Sequence, residues 1–247
     1  MVKKLIQNIL NFLGYAVIKK KNFKKIYRTL DDTIKSLITK DDPIIFDVGA
    51  HEGETIVRFK KIFNKPLIHS FEPQTKCFNK LQNLKSNNIV LNNYGLGDIK
   101  EKKLINICND DASSSILNVN IKSNFSKKLK MIDKEEIKID KLDNYVKENK
   151  INHIDLLKID TQGYEENVIL GGLETLAKKV YLIEIEIIFV EYYEKKNSFY
   201  KYEKVLNNQG FELFSISSPN FANNFRIKWL DALYINKSLM KEENYDL

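Results

Sequence analysis

From Pro43 onward, short apolar runs alternate with longer segments in which apolar residues recur every three to four positions. That alternation is the signature of strand–helix–strand units feeding a mainly parallel sheet. Strands are expected at Ile44–Val48, Leu67–Phe71, Ile89–Leu91, Ile154–Ile159 and Val180–Ile188, with helices over Glu54–Phe63, through Cys77, Leu81 and Leu84, and through Val168, Leu170, Leu173 and Leu176. Lys103–Ile107 and Glu136–Ile139 read as accessory strands. After a helix around Tyr202–Leu206, the runs Phe211–Ser215 and Leu230–Ile235 have no helix between them to carry a parallel crossover, so they should close the sheet as an antiparallel hairpin. The fold class is therefore α/β, a doubly wound sheet of seven strands. Ahead of it, Leu5, Ile9, Leu13 and Val17, and then Tyr27, Leu30, Ile34 and Leu37, recur at helical spacing and predict two helices joined by the Lys19–Lys25 run. Residues 1–40 thus form a helical extension, and 41–247 one domain of a size that buries a single core.

Charge changes the picture of that extension. The chain carries a net +7, yet the first forty residues hold ten Lys/Arg against Asp31 and Asp32, which leaves the remainder at −1. A nearly neutral body excludes a basic groove that follows a phosphate backbone, so no nucleic-acid partner is expected. The basic extension suits peripheral association with an anionic membrane or an acidic partner, and equally a helical layer covering the sheet with solvated lysines. No run reaches the length of a membrane span. Cys77 and Cys108 are too few for a disulfide framework, and a cytoplasmic location is expected. His51, His69 and His153 are scattered without ligand spacing, so no metal site is expected.

The first strand runs into I-I-F-D-V-G-A-H-E-G-E-T, where Gly49 and Gly53 allow a tight turn and close approach of a ligand to the backbone. Nineteen residues past Gly53, Glu72 ends the second strand, where a carboxylate can accept from both ribose hydroxyls of an adenosine ligand. A dinucleotide would need a bare helix N-terminus for its pyrophosphate. Here Asp47, Glu52 and Glu54 surround that point and the spacing is G-x-x-x-G. Negative side chains repel a diphosphate and suit a cationic, phosphate-free cofactor such as S-adenosylmethionine. Helix-dipole complementarity accounts for Glu52 and Glu54 without any ligand.

These residues, with others in order along the chain, resemble the FkbM-type methyltransferases. The motifs are F-D-V-G-A-H-E-G at 46–53, F-E-P at 71–73, N-Y-G-L-G-D at 93–98, S-S-S-I at 113–116, I-D-K-L-D at 139–143, D-L-L-K-I-D-T-Q-G-Y-E at 155–165 and L-I-E-I-E-I at 182–187. The resemblance covers roughly Pro43 to Asn236. It implies a Rossmann-like, class I methyltransferase fold and methyl transfer from S-adenosylmethionine to a hydroxyl of a sugar, glycan or other small metabolite. Carried over, it implies that Asp47, Gly49, Ala50, His51, Gly53, Glu72 and Asn93 form the cofactor set, with Asp160 where cofactor and acceptor meet. Gln162 stands where the family often has Glu, and Gly95 where it often has Ala.

The fifth strand adds an argument of its own. A central parallel strand is ordinarily apolar on both faces, yet Glu184 and Glu186 share one face of this one. Burying either carboxylate alone costs several kcal/mol, so each belongs to the ligand crevice at the strand ends or to a pair with Lys158 or another buried cation. Asp160, ending the neighbouring strand before Gly163, is expected to deprotonate the acceptor, with Glu186 and then Glu184 as the other candidates. Ser113–Ser115 lack a His/Asp arrangement for an acylating serine and read as loop or acceptor contacts. Tyr192 and Tyr193 read as an acceptor wall or as packing. Alternative readings are a nucleotide-dependent oxidoreductase of the same class, and a non-catalytic module that keeps the cofactor pocket and recruits partners through its basic N-terminus.

Overall fold

The computed structural model describes residues 28–194 and 199–240, together with Lys4, Ile6, Ile9, Leu10, Phe12 and Leu13. Helix α1 (Leu30–Leu37) begins at a reciprocal cap in which Thr29 and Asp32 each satisfy the other's backbone N–H. Strands and helices then alternate: β1 (Ile44–Val48), α2 (Glu54–Ile62), β2 (Leu67–Phe71), α3 (Thr75–Leu81), β3 (Ile89–Asn92). The short strand β4 (Gly95–Leu96) joins β5 (Glu101–Cys108) and β6 (Met131–Asp140) in a separate three-stranded sheet, order β4-β6-β5. The main fold resumes with α4 (Leu142–Glu148), β7 (Ile154–Ile159), α5 (Glu165–Leu170), α6 (Leu173–Lys179) and β8 (Val180–Ile188). It ends with α7 (Phe199–Asn208), β9 (Phe211–Ile216), β10 (Asn220–Phe221) and β11 (Ile227–Asn236).

The main sheet has the order β3-β2-β1-β7-β8-β11, with β9 and the two-residue β10 both pairing to β11. The first five of these strands are parallel, and β11 runs antiparallel to both β8 and β9. The mainly parallel sheet and its antiparallel close agree with the alternation in the sequence. Chain order reverses between β1 and β7, which opens a crevice at their C-terminal ends.

Each face carries its own core. On one, Phe46, Val48, Leu157, Ile159, Ile183 and Ile185 meet α4 to α7 through Leu142, Val146, Val168, Leu176, Tyr202 and Leu206. On the other, Ile45, Ile68, Leu156, Leu182 and Leu233 meet α1 to α3 through Ile34, Ile56, Phe59 and Leu81. Helix α1 is thus part of the layer over the sheet. Leu5, Tyr27, Val17 and the Lys19–Lys25 run, which carry most of the expected N-terminal pattern, lie outside the described residues; Ile9 and Leu13 are exposed. The helix read through Val168 to Leu176 is two helices. It breaks at Gly171–Gly172, where a side chain on Gly171 would sit 1.8 Å from the Gly97 carbonyl oxygen, and Leu170 faces outward. Among the described residues no helix is long and apolar enough to cross a membrane.

Candidate active site

Two clefts meet at the C-terminal ends of the parallel strands. The first, about 570 Å³ and open to solvent, is bounded by the β1 turn (Val48, Gly49, His51), by Glu72, Pro73 and Gln74 after β2, and by Asp160, Thr161 and Gln162 after β7. Its remaining walls are largely apolar: Leu96, Ile105, Ile116, Ile139 and Tyr164. Such a slot suits the flat face of a purine, with polar groups at its edges.

The β1 turn has its shape because Gly49 adopts φ +88°, and a Cβ there would lie 1.8 Å from the Asp160 carbonyl oxygen. Only glycine lets the ends of β1 and β7 touch in this way. The N–H groups of Gly49 and Ala50 both donate to the Phe71 carbonyl, which fixes the turn against β2. Glu72 is nearly sequestered, and its two oxygens accept from the N–H groups of His51 and Gln74, each at 2.8 Å. Burial nonetheless raises its pKa to about 7.

Of the residues expected to hold a cofactor, Gly49, His51, Glu72 and Asp160 line this cleft. Asp47, Ala50, Gly53 and Asn93 do not. Asn93 lies behind it, donating to the Glu72 and Pro73 carbonyls and so bracing the F-E-P turn. Gly53 caps α2 at φ +98°. Asp47 is fully buried, neither of its oxygens has a hydrogen-bond partner, and desolvation raises its pKa to about 7 against the pull of Lys158. The three histidines are far apart in role. His51 lines the cleft, with its Nε2 buried and unpartnered. His69 is a core residue, stacked on Phe46, bonded to the Tyr145 hydroxyl and held by burial at a pKa of about 4. His153 sits with Lys40 and Asp155 at the opposite end of the sheet.

The second cleft, about 1030 Å³, opens beside the first and shares Ala112 and Gln162 with it. Glu186, Asp110, Phe125, Tyr192, Tyr193 and Trp229 contribute to its walls. Between the clefts Gln162, in left-handed conformation at φ +53°, is a hub. Its amide nitrogen donates to Asp160 and to Glu186, both at 3.0 Å, and its amide oxygen accepts from the Tyr193 hydroxyl at 2.9 Å. Its backbone carbonyl accepts from Ser115 at 2.6 Å. Glu165 staples the same turn by accepting from the N–H groups of Thr161 and Gly163, and is anchored in turn by the Tyr202 hydroxyl.

The paired cations sort the carboxylates. Lys158 bonds Asp160 at 3.0 Å, and that ammonium with the Gln162 amide holds the Asp160 pKa low against burial. Arg58 reaches from α2 to Glu184 at 2.6 Å and to Asp31 of α1 at 2.5 Å. Glu184 therefore ends in an ion pair and lines neither cleft, its partner being the half-buried Arg58 and not Lys158. Glu186 faces the second cleft, and burial, with the Asp160 and Glu165 charges nearby, pushes its pKa well up. Sequence reasoning did not single out Arg58, Gln162 as a bridge, or Trp229. A lone arginine in an amphipathic helix and one tryptophan near a strand start carry no local signal of a site. Ser114 accepts from the Cys108 N–H and lines the first cleft, Ser115 ties the second sheet to the β7 turn, and Ser113 donates to Asp110 and lines the second cleft.

Comparison with known proteins agrees with this architecture. The chain is 25% identical over 208 residues, covering 77% of itself and 78% of the relative, to the 2-O-methyltransferase NoeI of Sinorhizobium fredii (strain NBRC 101917 / NGR234). Among solved structures it resembles methyltransferase FkbM from Methylobacillus flagellatus KT, with a TM-score of 0.51 and 15% identity. That match covers 79% of this chain but only 44% of the other, a likeness of fold alone. A family model described as the methyltransferase FkbM domain matches residues 47–213. That match takes in the β1 turn, both clefts' carboxylates and the strands that present them, and the chain belongs to the FkbM methyltransferase family.

Proposed function

We propose that the protein is an S-adenosylmethionine-dependent O-methyltransferase acting on a hydroxyl of a sugar, glycan or small metabolite. The observation that carries the reading is the junction at Gln162: one amide bridges a carboxylate of the cofactor cleft to a carboxylate of the cleft beside it. The chain's residues fit the cofactor. Glu72 is held by two backbone donors and keeps lone pairs for a ribose diol, the apolar walls suit adenine, and His51, whose Nε2 has no protein partner, is a polar group at the cleft edge. Bound there, S-adenosylmethionine supplies a methyl group on a sulfonium, which an acceptor oxygen takes as the carbon–sulfur bond breaks.

What the protein must add is alignment and a destination for the hydroxyl proton. Glu186 is the group we assign to receive it, ahead of Asp160. Asp160 is neutralised by Lys158 and correspondingly weak as a base, whereas the raised pKa of Glu186 makes its ionised form the stronger one. The Gln162 amide holds that carboxylate in place by donating to it at 3.0 Å. The relative named a 2-O-methyltransferase supports oxygen as the acceptor atom. The test is calorimetric titration with S-adenosylhomocysteine and with NAD, followed by incubation with labelled S-adenosylmethionine and fractionated glycans and metabolites. Binding of the first ligand and labelled product are expected. Binding of NAD in its place would favour the oxidoreductase reading, and cofactor binding without any labelled product a binding module.

A further inference from the structure

We propose that the N-terminal helical stretch carrying Ile6, Ile9, Phe12 and Leu13 docks the protein on an anionic lipid bilayer, its apolar face in the headgroup boundary and the neighbouring lysines on charged lipid. The inference goes beyond the methyl-transfer reading and does not depend on it. Lys4, Ile6, Ile9, Leu10 and Phe12 are helical, and the Leu13 N–H donates to the Ile9 carbonyl at 3.0 Å. At 100° per residue, Ile6, Ile9, Leu10 and Leu13 share one side of such a helix, Phe12 stands at its margin, and Lys4 is opposite. By the same sequence spacing Gln7, Asn8 and Asn11 fall on the polar side.

An apolar stripe of this kind ordinarily faces the core. Here it does not. Ile6 and Ile9 are half exposed, Leu13 more so, and Phe12 is 91% exposed, and none of the four belongs to the clusters that pack either face of the sheet. Charge says what covers it. The first twenty-eight residues hold eight Lys/Arg and no Asp or Glu. The first acids of the chain, Asp31 and Asp32, are taken up by Arg58 and by the α1 cap, so they leave those cations for an outside partner. A nucleic acid would neutralise the lysines and offer nothing to Ile9 or Phe12. A second copy would cover the apolar side chains but set eight like charges against eight. An anionic bilayer answers both features, and an apolar face joined to a basic run supplies the two signals that stable peripheral binding needs. The polar positions between the apolar ones make this a helix that lies on the membrane and does not span it.

The experiment floats the full-length protein with vesicles of phosphatidylcholine alone and of phosphatidylcholine with about a third phosphatidylserine. Binding to the anionic vesicles, at least roughly tenfold weaker on the neutral ones and reduced on raising salt from about 0.1 to 0.5 M, is expected. The double variant Ile9→Asp with Phe12→Asp should weaken it tenfold or more, and so should Lys19→Gln, Lys20→Gln and Lys21→Gln made together. Because Ile9 and Phe12 are exposed and outside the core clusters, the first variant leaves the domain intact. Equal binding to both kinds of vesicle, or none to either, would overturn the proposal. So would wild-type binding by the Ile9/Phe12 variant, which would reduce the segment to a simple polycation. A lipid-free dimer that the same variant abolishes, seen by light scattering, would assign the face to a second copy and overturn it as well.

Discussion

Along one face of the sheet, residues two positions apart on the same strands have opposite tasks. The row Ile45, Leu156, Leu182 and Ile235 is fully or almost fully buried against α1 and α2 and is wholly apolar. The next row toward the strand ends is Asp47, Lys158 and Glu184, in lateral register, and the row after it brings Glu186 beside Asp231, with Asp160 just beyond β7. On the opposite face the strands stay apolar to their ends, through Val48, Ile159, Ile185 and Ile187. Burial alone does not separate these rows, since Asp47 and Glu184 are as sequestered as Leu156. What separates them is whether burial has a return in stability. The apolar row gains roughly 25 cal/mol for each Å² removed from water. The charged rows pay desolvation that ion pairs at best offset, so their presence at the ligand end marks function.

The contrast can be broken by substitution. Leu156→Ala should cost about 2–5 kcal/mol in denaturant unfolding and leave turnover of the folded fraction nearly unchanged. Arg58→Ala should cost a comparable 3–5 kcal/mol, because Glu184 loses its partner while remaining buried. If the paired change Arg58→Met with Glu184→Leu recovers that loss, the ion pair is a structural tie and not part of the chemistry.

Glu186→Gln is the converse case. Stability should hold or rise, since a carboxyl that resists ionisation is replaced by a neutral amide, while methyl transfer falls roughly a hundredfold with S-adenosylhomocysteine affinity preserved. Full turnover in that variant would return the proton to Asp160. In the wild type the rate should rise with pH as Glu186 ionises, because its pKa lies above the usual carboxylate range; the variant should lose that limb.

A smaller effect is expected at the cofactor end. Glu72→Ala should weaken S-adenosylhomocysteine binding about tenfold or more by calorimetry. It also strands the His51 and Gln74 N–H groups, so thermal stability should drop as well. The smallest change is Gln162→Glu, which installs the residue common in the family. A third carboxylate beside Glu186 should move the rising limb of the pH–rate profile upward by about one unit; no movement would mean that the bridge seen at Gln162 does not set the proton affinity of Glu186.

The central parallel strands β1, β7 and β8 were legible because each is a compact, mainly apolar run, whereas the two-residue β4 and β10 carry no such pattern; the crevice was legible because Gly49, Glu72, Asp160 and Glu186 stand where strands end. Partners were not. Arg58 and Glu184 are 126 positions apart, and nothing in the α2 sequence distinguishes an arginine that crosses to the sheet from one that faces water. Nor does local pattern reveal that Gln162 bridges two carboxylates, since that depends on a left-handed turn and on Glu186 arriving 24 residues later. The break at Gly171 escaped for a similar reason: periodicity continues through it, and only the approach of Gly97 requires a residue without a side chain.

One asparagine shapes how such a protein can diversify. The Asn109 side chain accepts from the Lys130 N–H at 2.7 Å and donates to the Lys128 carbonyl at 3.2 Å, while its own N–H donates to the Lys130 carbonyl. The segment between, which supplies Phe125 to the aromatic cleft, is therefore clasped at its base and contributes no strand to the parallel sheet. Residues 118–120 are tied to 192–194 beside Gln162, but 121–128 is held by its own bonds through Asn120, Ser123 and Ser126, so new side chains there should leave Gly49, Glu72 and the β7 turn undisturbed. One wall of the aromatic cleft can thus be rewritten at that loop without change at Gly49 or Glu72.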